Sequence, residues 1–388
     1  MMNIFLFLAF AFLFVMIFGK LLERIRVPWI FTALILGSIL AINNPFSSIT
    51  SSDTFELLAN LGMYFLLFII GFELNLKKMK RKSRFFITAT FFIIFLEAFF
   101  GTLVVHFIFG YDLFISFLVA LSFATVGEAV LIPILDEFRI TNSRLGQAII
   151  GIGTLDDIIE IMTLILMIAL LGSEINSQIN TFLVIASLFV LFVLTAGLSK
   201  LKNSGERFSF LKIEILFLFT IFILFLFIGI GEYALAAPLA AFLAGIGLKM
   251  FLPEKRMNAI ESEVRTICYG FFAPIFFLWV GLGMDVNYLF SFPLLIVFVI
   301  LVSSGAKILG SYIIARKELG GVKQSVLLGV GTSVRFSTSI IIIKILFDNG
   351  LIESDLYSII IASTIIFTFI VPILFSTLAS RWGIGRSV

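Results

Sequence analysis

Apolar runs of about twenty residues recur along almost the whole chain, and they leave it few environments to fold in. A lipid core about 30 Å thick takes roughly 20 helical residues, and inside it every backbone N–H and C=O must find its partner within the protein. Thirteen runs meet that length, near residues 3–19, 27–42, 56–72, 85–109, 113–137, 146–172, 179–199, 210–230, 232–250, 265–285, 288–315, 323–347 and 355–380. The boundary between the eighth and ninth, IGIGEYALAAP, is the tightest. Composition agrees, since 61% of the 388 residues are hydrophobic and 13% charged, whereas soluble domains carry about 25% charged residues. The expectation is an all-α polytopic membrane protein with 13 transmembrane helices in one membrane domain, residues 1–388.

The first run, NIFLFLAFAFLFVMIFGKLL, has neither a basic leader nor a small-residue cleavage site and reads as a retained helix. Cys268 and His106 are the only cysteine and histidine, so neither a disulfide framework nor a zinc, haem or iron–sulfur cluster is expected. No nucleophile and base pair stands in the apolar runs, so an enzyme is not expected either. The expected partner is a lipid bilayer rather than nucleic acid.

The basic residues orient the runs. Lys and Arg collect on the cytoplasmic side of a membrane, and here they fall in alternate connections: Lys20, Arg24 and Arg26 after the first run, a cluster from Lys77 to Arg84 after the third, Arg139 and Arg144 after the fifth, and so on to Arg381 and Arg386 in the tail. The intervening connections hold none. This pattern puts the N-terminus outside and the C-terminus in the cytoplasm, across a cell (inner) membrane. It accounts for 24 of the 27 basic residues and leaves Lys307, Arg335 and Lys344 inside helices. Lys344 lies near enough to a helix end to snorkel to the interface. Lys307 and Arg335 have no such route.

An internal repeat is visible. GFELN (71–75) at the end of the third run matches GMDVN (283–287) at the end of the tenth, and the loop charges make the two copies antiparallel. Inverted repeats around a midplane site mark secondary transporters. The corresponding fifth and twelfth runs contain ATVGEAVLIP (124–133) and GVGTSVRFSTS (329–339), where Gly, Ser, Thr and a charge interrupt an apolar stretch. Both read as discontinuous, crossing helices whose exposed backbone lines a cavity.

In GIGTLDDIIEIM (151–162), Asp156 and Asp157 stand about ten residues inside the sixth run, roughly 15 Å deep. Glu128, Lys307 and Arg335 reach similar depths on the fifth, eleventh and twelfth runs, so five charges from four helices converge near the midplane. Each costs on the order of 2.5–3.5 kcal/mol there, so they require mutual pairing and a wet cavity. Adjacent helix positions diverge by about 100°. One aspartate can therefore face an internal cation such as Lys307 while the other faces the cavity. Glu160, one turn on, is either a third participant or a packing-side pair. Glu97, Glu214 and Glu232, taken singly, read as interfacial or locally paired carboxylates, and His106 as a helix-end residue.

Along nearly its whole length the sequence resembles the bacterial and archaeal monovalent cation:proton antiporters, on the branch with NapA-type sodium/proton and Kef-type potassium antiporters. The resemblance is carried by RIRVPWIFTALILG (24–37), LLFIIGFELNL (66–76), ATVGEAVLIPILDE (124–137), GTLDD (153–157), YALAAPLAAFLAGIGL (233–248) and GAKILG (305–310). It implies an elevator-type fold, with residues 1–84 and 207–287 as a dimerising scaffold, 85–172 and 288–388 as a mobile core, and 173–206 as a linker helix. It further implies a homodimer, Asp157 as principal ion-binding carboxylate, and Asp156 beside it, salt-bridged to Lys307 in one state. Thr125 in the first break is a further candidate ligand, through its backbone or hydroxyl. The paired aspartates point to electrogenic Na⁺/H⁺ exchange. No cofactor is implied, and Li⁺ or K⁺ are the alternative cations.

Two features depart from the family pattern. VRFS (334–337) keeps Arg335 but lacks the glycine and acid that usually follow it, and Glu128 stands where a small or apolar residue is usual. Glu128 is therefore expected to pair with Arg335. The rival readings are a K⁺/H⁺ antiporter on the same fold and a non-transporting membrane sensor. The lack of a nucleotide-binding or signalling stretch after the last run favours neither a receptor nor Kef-type gating.

Overall fold

The computed structural model describes residues 3–25, 27–73, 84–174, 181–200, 212–233, 236–252, 254–335 and 337–384. Among these residues the chain is helical, without strands. It begins with α1 (Ile4–Arg24), α2 (Phe31–Ile42), the single turn α3 (Ser47–Thr50) and α4 (Asp53–Glu73). Next come α5 (Arg84–Phe109), the pair α6 (Leu113–Phe123) and α7 (Glu128–Glu137), α8 (Arg144–Glu174) and α9 (Thr181–Lys200). They are followed by α10 (Ile213–Glu232), α11 (Ala237–Phe251) and α12 (Glu254–Ile267), which a π-helical turn at Cys268–Phe272 joins to α13 (Ala273–Leu282). The chain closes with α14 (Val286–Ser291), α15 (Pro293–Ala315), the pair α16 (Val322–Gly331) and α17 (Ser337–Asp348), and α18 (Ser354–Arg381).

Seven of these runs are long and apolar enough to cross a membrane: α1, α4, α5, α10, the α12–α13 run, α15 and α18. Their outward faces are apolar as well. Phe91 and Phe95 on α5 and Leu218 and Phe222 on α10 are exposed, the reverse of a soluble helix, which turns a polar face outward. Such faces require a hydrocarbon solvent, so the chain is an integral membrane protein. Lys344, expected to snorkel, is buried in α17 instead, and its ammonium meets Asp348 one turn on.

Contacts group the chain into two compact units. The first comprises Met1–Phe12, Phe46–Asn75 and Leu164–Trp279, with the crossing of α4 and α11 inside it. That crossing is close because it is made at glycine: a Cβ on Gly71 would stand 2.2 Å from the Phe242 carbonyl oxygen, and one on Gly245 2.1 Å from that of Phe68. Without a hydrophobic force between helices in lipid, such close backbone packing is a main source of attraction.

The second unit comprises Leu13–Pro45, Leu76–Thr163 and Val280–Val388 and holds both interrupted helix pairs. α6 stops at Phe123, and α7 restarts at Glu128 after Gly127. α16 stops at Gly331, where Thr332 Oγ1 donates back to the Leu328 carbonyl at 2.9 Å and Ser333 Oγ to that of Gly329 at 2.8 Å. These short hydroxyl side chains offer the backbone an alternative to continuing the helix. The two interruptions meet, the Gly127 N–H donating to the Val334 carbonyl at 2.7 Å.

Candidate functional site

Within the second unit, four buried charges gather at the two breaks. Glu97 on α5, Asp156 on α8, Lys307 on α15 and Arg335 after α16 are each no more than 2% exposed. A Cβ on Gly329 would stand 2.5 Å from Ile308 Cα, so glycine is what lets α16 approach α15 closely enough to present the second break to Lys307.

The breaks leave helix-end carbonyls without partners in their own helices, and lipid cannot supply any. Lys307 does. Its Nζ donates to the Thr125 carbonyl at 2.6 Å and the Thr332 carbonyl at 2.5 Å, one from each break. These are the negative ends of half-helices, where a cation is favoured. Glu97 Oε2 lies 3.2 Å from the same ammonium.

Arg335 closes the network from the other side. Its Nη2 donates to Glu97 Oε1 at 2.5 Å and its Nε to the Phe123 carbonyl at 2.6 Å. Ser303 bridges the pair, donating to Glu97 Oε1 and accepting from Arg335 Nη2. The guanidinium is sandwiched between Phe123 and Phe367, 3.7 Å and 3.9 Å from the ring centroids, an arrangement that stabilises a desolvated cation by about 2 kcal/mol or more.

Asp156 meets the opposite lip of the first break. Its Oδ2 accepts the Val126 N–H at 2.5 Å, just before α7 begins, where a helix presents unpaired N–H groups and its positive dipole end. It also lies within electrostatic reach of Lys307. Carboxylate and ammonium thus sit at helix ends of complementary sign.

Of the residues expected from sequence, Asp156, Thr125, Lys307 and Arg335 meet at the two breaks. The side chains of Asp157, Glu160 and Glu128 lie outside the described residues. The sequence reading offered Glu128 as the carboxylate for Arg335; that expectation lies outside the described residues, and among the described side chains Arg335 pairs with Glu97. Lys307, expected opposite Asp156 in one state, forms its ion pair here with Glu97. Grouping Glu97 with Glu214 and Glu232 was an error. The latter two are exposed at the ends of α10, whereas Glu97 stands in the middle of the 26-residue α5. The same count of residues from a helix end that found Lys307 would have found it.

The match to known sequences is as extensive as the fold suggests. A sequence profile described as "Sodium/hydrogen exchanger, transmembrane" matches residues 9–381. The chain belongs to this sodium/hydrogen exchanger family. Exchangers of this kind are membrane transporters. A probable Na(+)/H(+) antiporter 3 of Methanocaldococcus jannaschii is 27% identical to this exchanger over 366 residues, 92% of each chain. A Na(+)/H(+) antiporter of Enterococcus hirae is 24% identical over 321 residues, 81% of this chain and 82% of that one. Among solved structures, the sodium proton antiporter MjNhaP1 of Methanocaldococcus jannaschii shares the fold with a TM-score of 0.65 at 19% identity, over 96% of this chain and 98% of that one.

Proposed function

We propose that this exchanger moves Na⁺ one way and H⁺ the other, the two competing for Asp156 and Asp157 on α8. The observation that carries the reading is Asp156, a carboxylate buried mid-helix and held by a backbone N–H at the mouth of a broken helix. Two neighbouring carboxylates in a poorly solvated site repel, so a bound cation or bound protons stabilise the site and the bare site is costly. Na⁺ and H⁺ then exclude each other, and the core crosses when loaded. If both aspartates exchange protons, two protons move per Na⁺ and transport carries charge. Thr125 lends its carbonyl to Lys307 and is a further ligand for the cation through that carbonyl's second lone pair or its hydroxyl; Glu160 and Glu128 are supporting carboxylates. No cofactor takes part.

The wider architecture in this reading has thirteen crossings, the N-terminus outside and the C-terminus cytoplasmic. The first six form one repeat with the last six inverted against it, the seventh links them, and the chain works as a homodimeric elevator. The repeat is supported by a second match beyond GFELN and GMDVN. AFLAGIGL in α11 pairs with ALILGSIL in α2; Gly245 of the first meets α4, and Gly37 of the second meets α13, where a Cβ on Gly281 would stand 2.9 Å from the Gly37 carbonyl carbon. The grouping of 76–163 with 280–388 supports a core built from 85–172 and 288–388, while 13–45 falls in that same unit and 164–172 in the other. Residues 1–84 and 207–287 are then the scaffold and 173–206 the linker.

The test is cation-driven proton flux in proteoliposomes, with NaCl and KCl compared and a potential-sensitive dye reporting charge movement. Na⁺ is expected to drive flux in the native chain, and Asp157→Asn to lower it to the level of empty liposomes. Flux that survives that substitution refutes the assignment. A KCl response exceeding the NaCl response makes the chain a K⁺/H⁺ exchanger, and silence with both favours the sensor.

A further inference from the structure

The Glu97 network contains more than a cation-exchange site requires. One carboxylate binds two buried cations, and each cation is at the same time bonded to backbone carbonyls at the breaks. We propose that Glu97 is a positioning residue for exchange: it holds the Lys307 ammonium and the Arg335 guanidinium on the two helix breaks, and so keeps them from pairing directly with Asp156. This rests on the exchange reading of Asp156 and Asp157 given above.

The geometry supports the inference from three directions. An ammonium has three N–H groups; the Thr125 and Thr332 carbonyls accept from two of them, Glu97 Oε2 stands 3.2 Å away as the ion-pair partner, and among the described residues none of these groups is on α8. Arg335 is held in the same way by Glu97, Ser303 and the Phe123 carbonyl, while its own carbonyl accepts from Thr368 of α18 at 3.3 Å. Around this cluster the charged groups on described side chains are Glu97, Asp156, Lys307 and Arg335.

The third direction is the surroundings of Glu97. A cavity of about 30 Å³ abuts Glu97 and Ser303, and its other walls are apolar, among them Val105, Phe109, Phe123, Val299, Leu356 and Ile360. A buried water needs two to four polar partners, and this cavity offers two polar side chains already engaged with each other. Charge balance at Glu97 therefore comes from the two cations, which in turn share this one carboxylate.

Removing that charge leaves Lys307 and Arg335 without their shared carboxylate. Asp156, already within electrostatic reach of Lys307, becomes the nearest replacement. The ammonium then competes with the transported cation for α8. A loss of this kind weakens ground-state binding and spares turnover, so it appears in KM rather than in maximal rate.

The experiment measures Na⁺ KM and maximal rate in proteoliposomes at one fixed pH. The chains compared are native, Glu97→Gln, Glu97→Asp, Lys307→Gln and the double variant Glu97→Gln with Lys307→Gln. Glu97→Gln is expected to raise KM about tenfold with maximal rate within about threefold, and Glu97→Asp to raise it less. In the Lys307→Gln background, Glu97→Gln is expected to add nothing to KM, because its effect acts through the ammonium. An unchanged KM overturns the proposal, as does an equal rise in both backgrounds or a fall in maximal rate alone. Should Glu97→Gln fail to fold, Glu97→Asp decides: a KM equal to the native value refutes positioning. Failure of the exchange reading is separate, showing as absent native flux or flux that survives Asp157→Asn.

Discussion

At the α4–α11 crossing both helices run unbroken, Gly71 and Gly245 let their backbones touch, and the charged contact between them is Lys249 donating to the Glu73 carbonyl at the end of α4. At the crossing of α6–α7 with α16–α17 both helices are interrupted, and Glu97, Asp156, Lys307 and Arg335 crowd around the exposed carbonyls and N–H groups. The first crossing satisfies its backbone internally and needs only small residues to gain contact. The second leaves backbone groups that neither lipid nor helix can satisfy, so charged side chains must. Small residues therefore mark close packing, and buried charges mark broken backbone.

Substitutions can break the comparison in order of expected effect. Arg335→Ala is expected to cost the most, about 3–5 kcal/mol in folding stability, because it strips a buried ion pair of one member. Thermal unfolding in detergent would register it as the largest fall in midpoint, and a fall no greater than that of a glycine variant would mean the charges do not hold the breaks. Gly245→Ala comes next, at about 1–3 kcal/mol by overpacking, since its Cβ would meet the Phe68 carbonyl oxygen at 2.1 Å. Gly229→Ala in α10, where a Cβ meets nothing within 4 Å, should stay within about 0.5 kcal/mol of the native chain. If Gly245→Ala behaves like Gly229→Ala in the same measurement, the dry crossing is looser than its geometry states.

Much of the site was legible before the fold. Asp156, Lys307 and Arg335 were found by counting residues inward from basic loops, and Thr125 by the Gly and Thr interruption around it. Glu97 escaped because it was weighed singly, as one glutamate in an uninterrupted apolar helix, with no motif beside it. Glu128 was chosen for Arg335 because it lies at the break in sequence. Glu97 lies far from Arg335 along the chain, so adjacency in sequence could not have proposed that pair.

Periodic apolar length, alternating loop charge and interrupted runs determined on their own that the chain is helical, lives in a membrane and buries charge at two breaks. These follow from one-dimensional facts, since the position of a residue along a helix fixes its depth to about 1.5 Å per residue. Only the tertiary structure decided that Glu97 joins Lys307 to Arg335 and that Asp156 turns to the Val126 N–H. Depth does not fix azimuth or neighbour. Which charge meets which depends on how helices distant in sequence rotate against one another, and here that arrangement includes a close glycine contact at Gly329 and the Gly127 to Val334 bond.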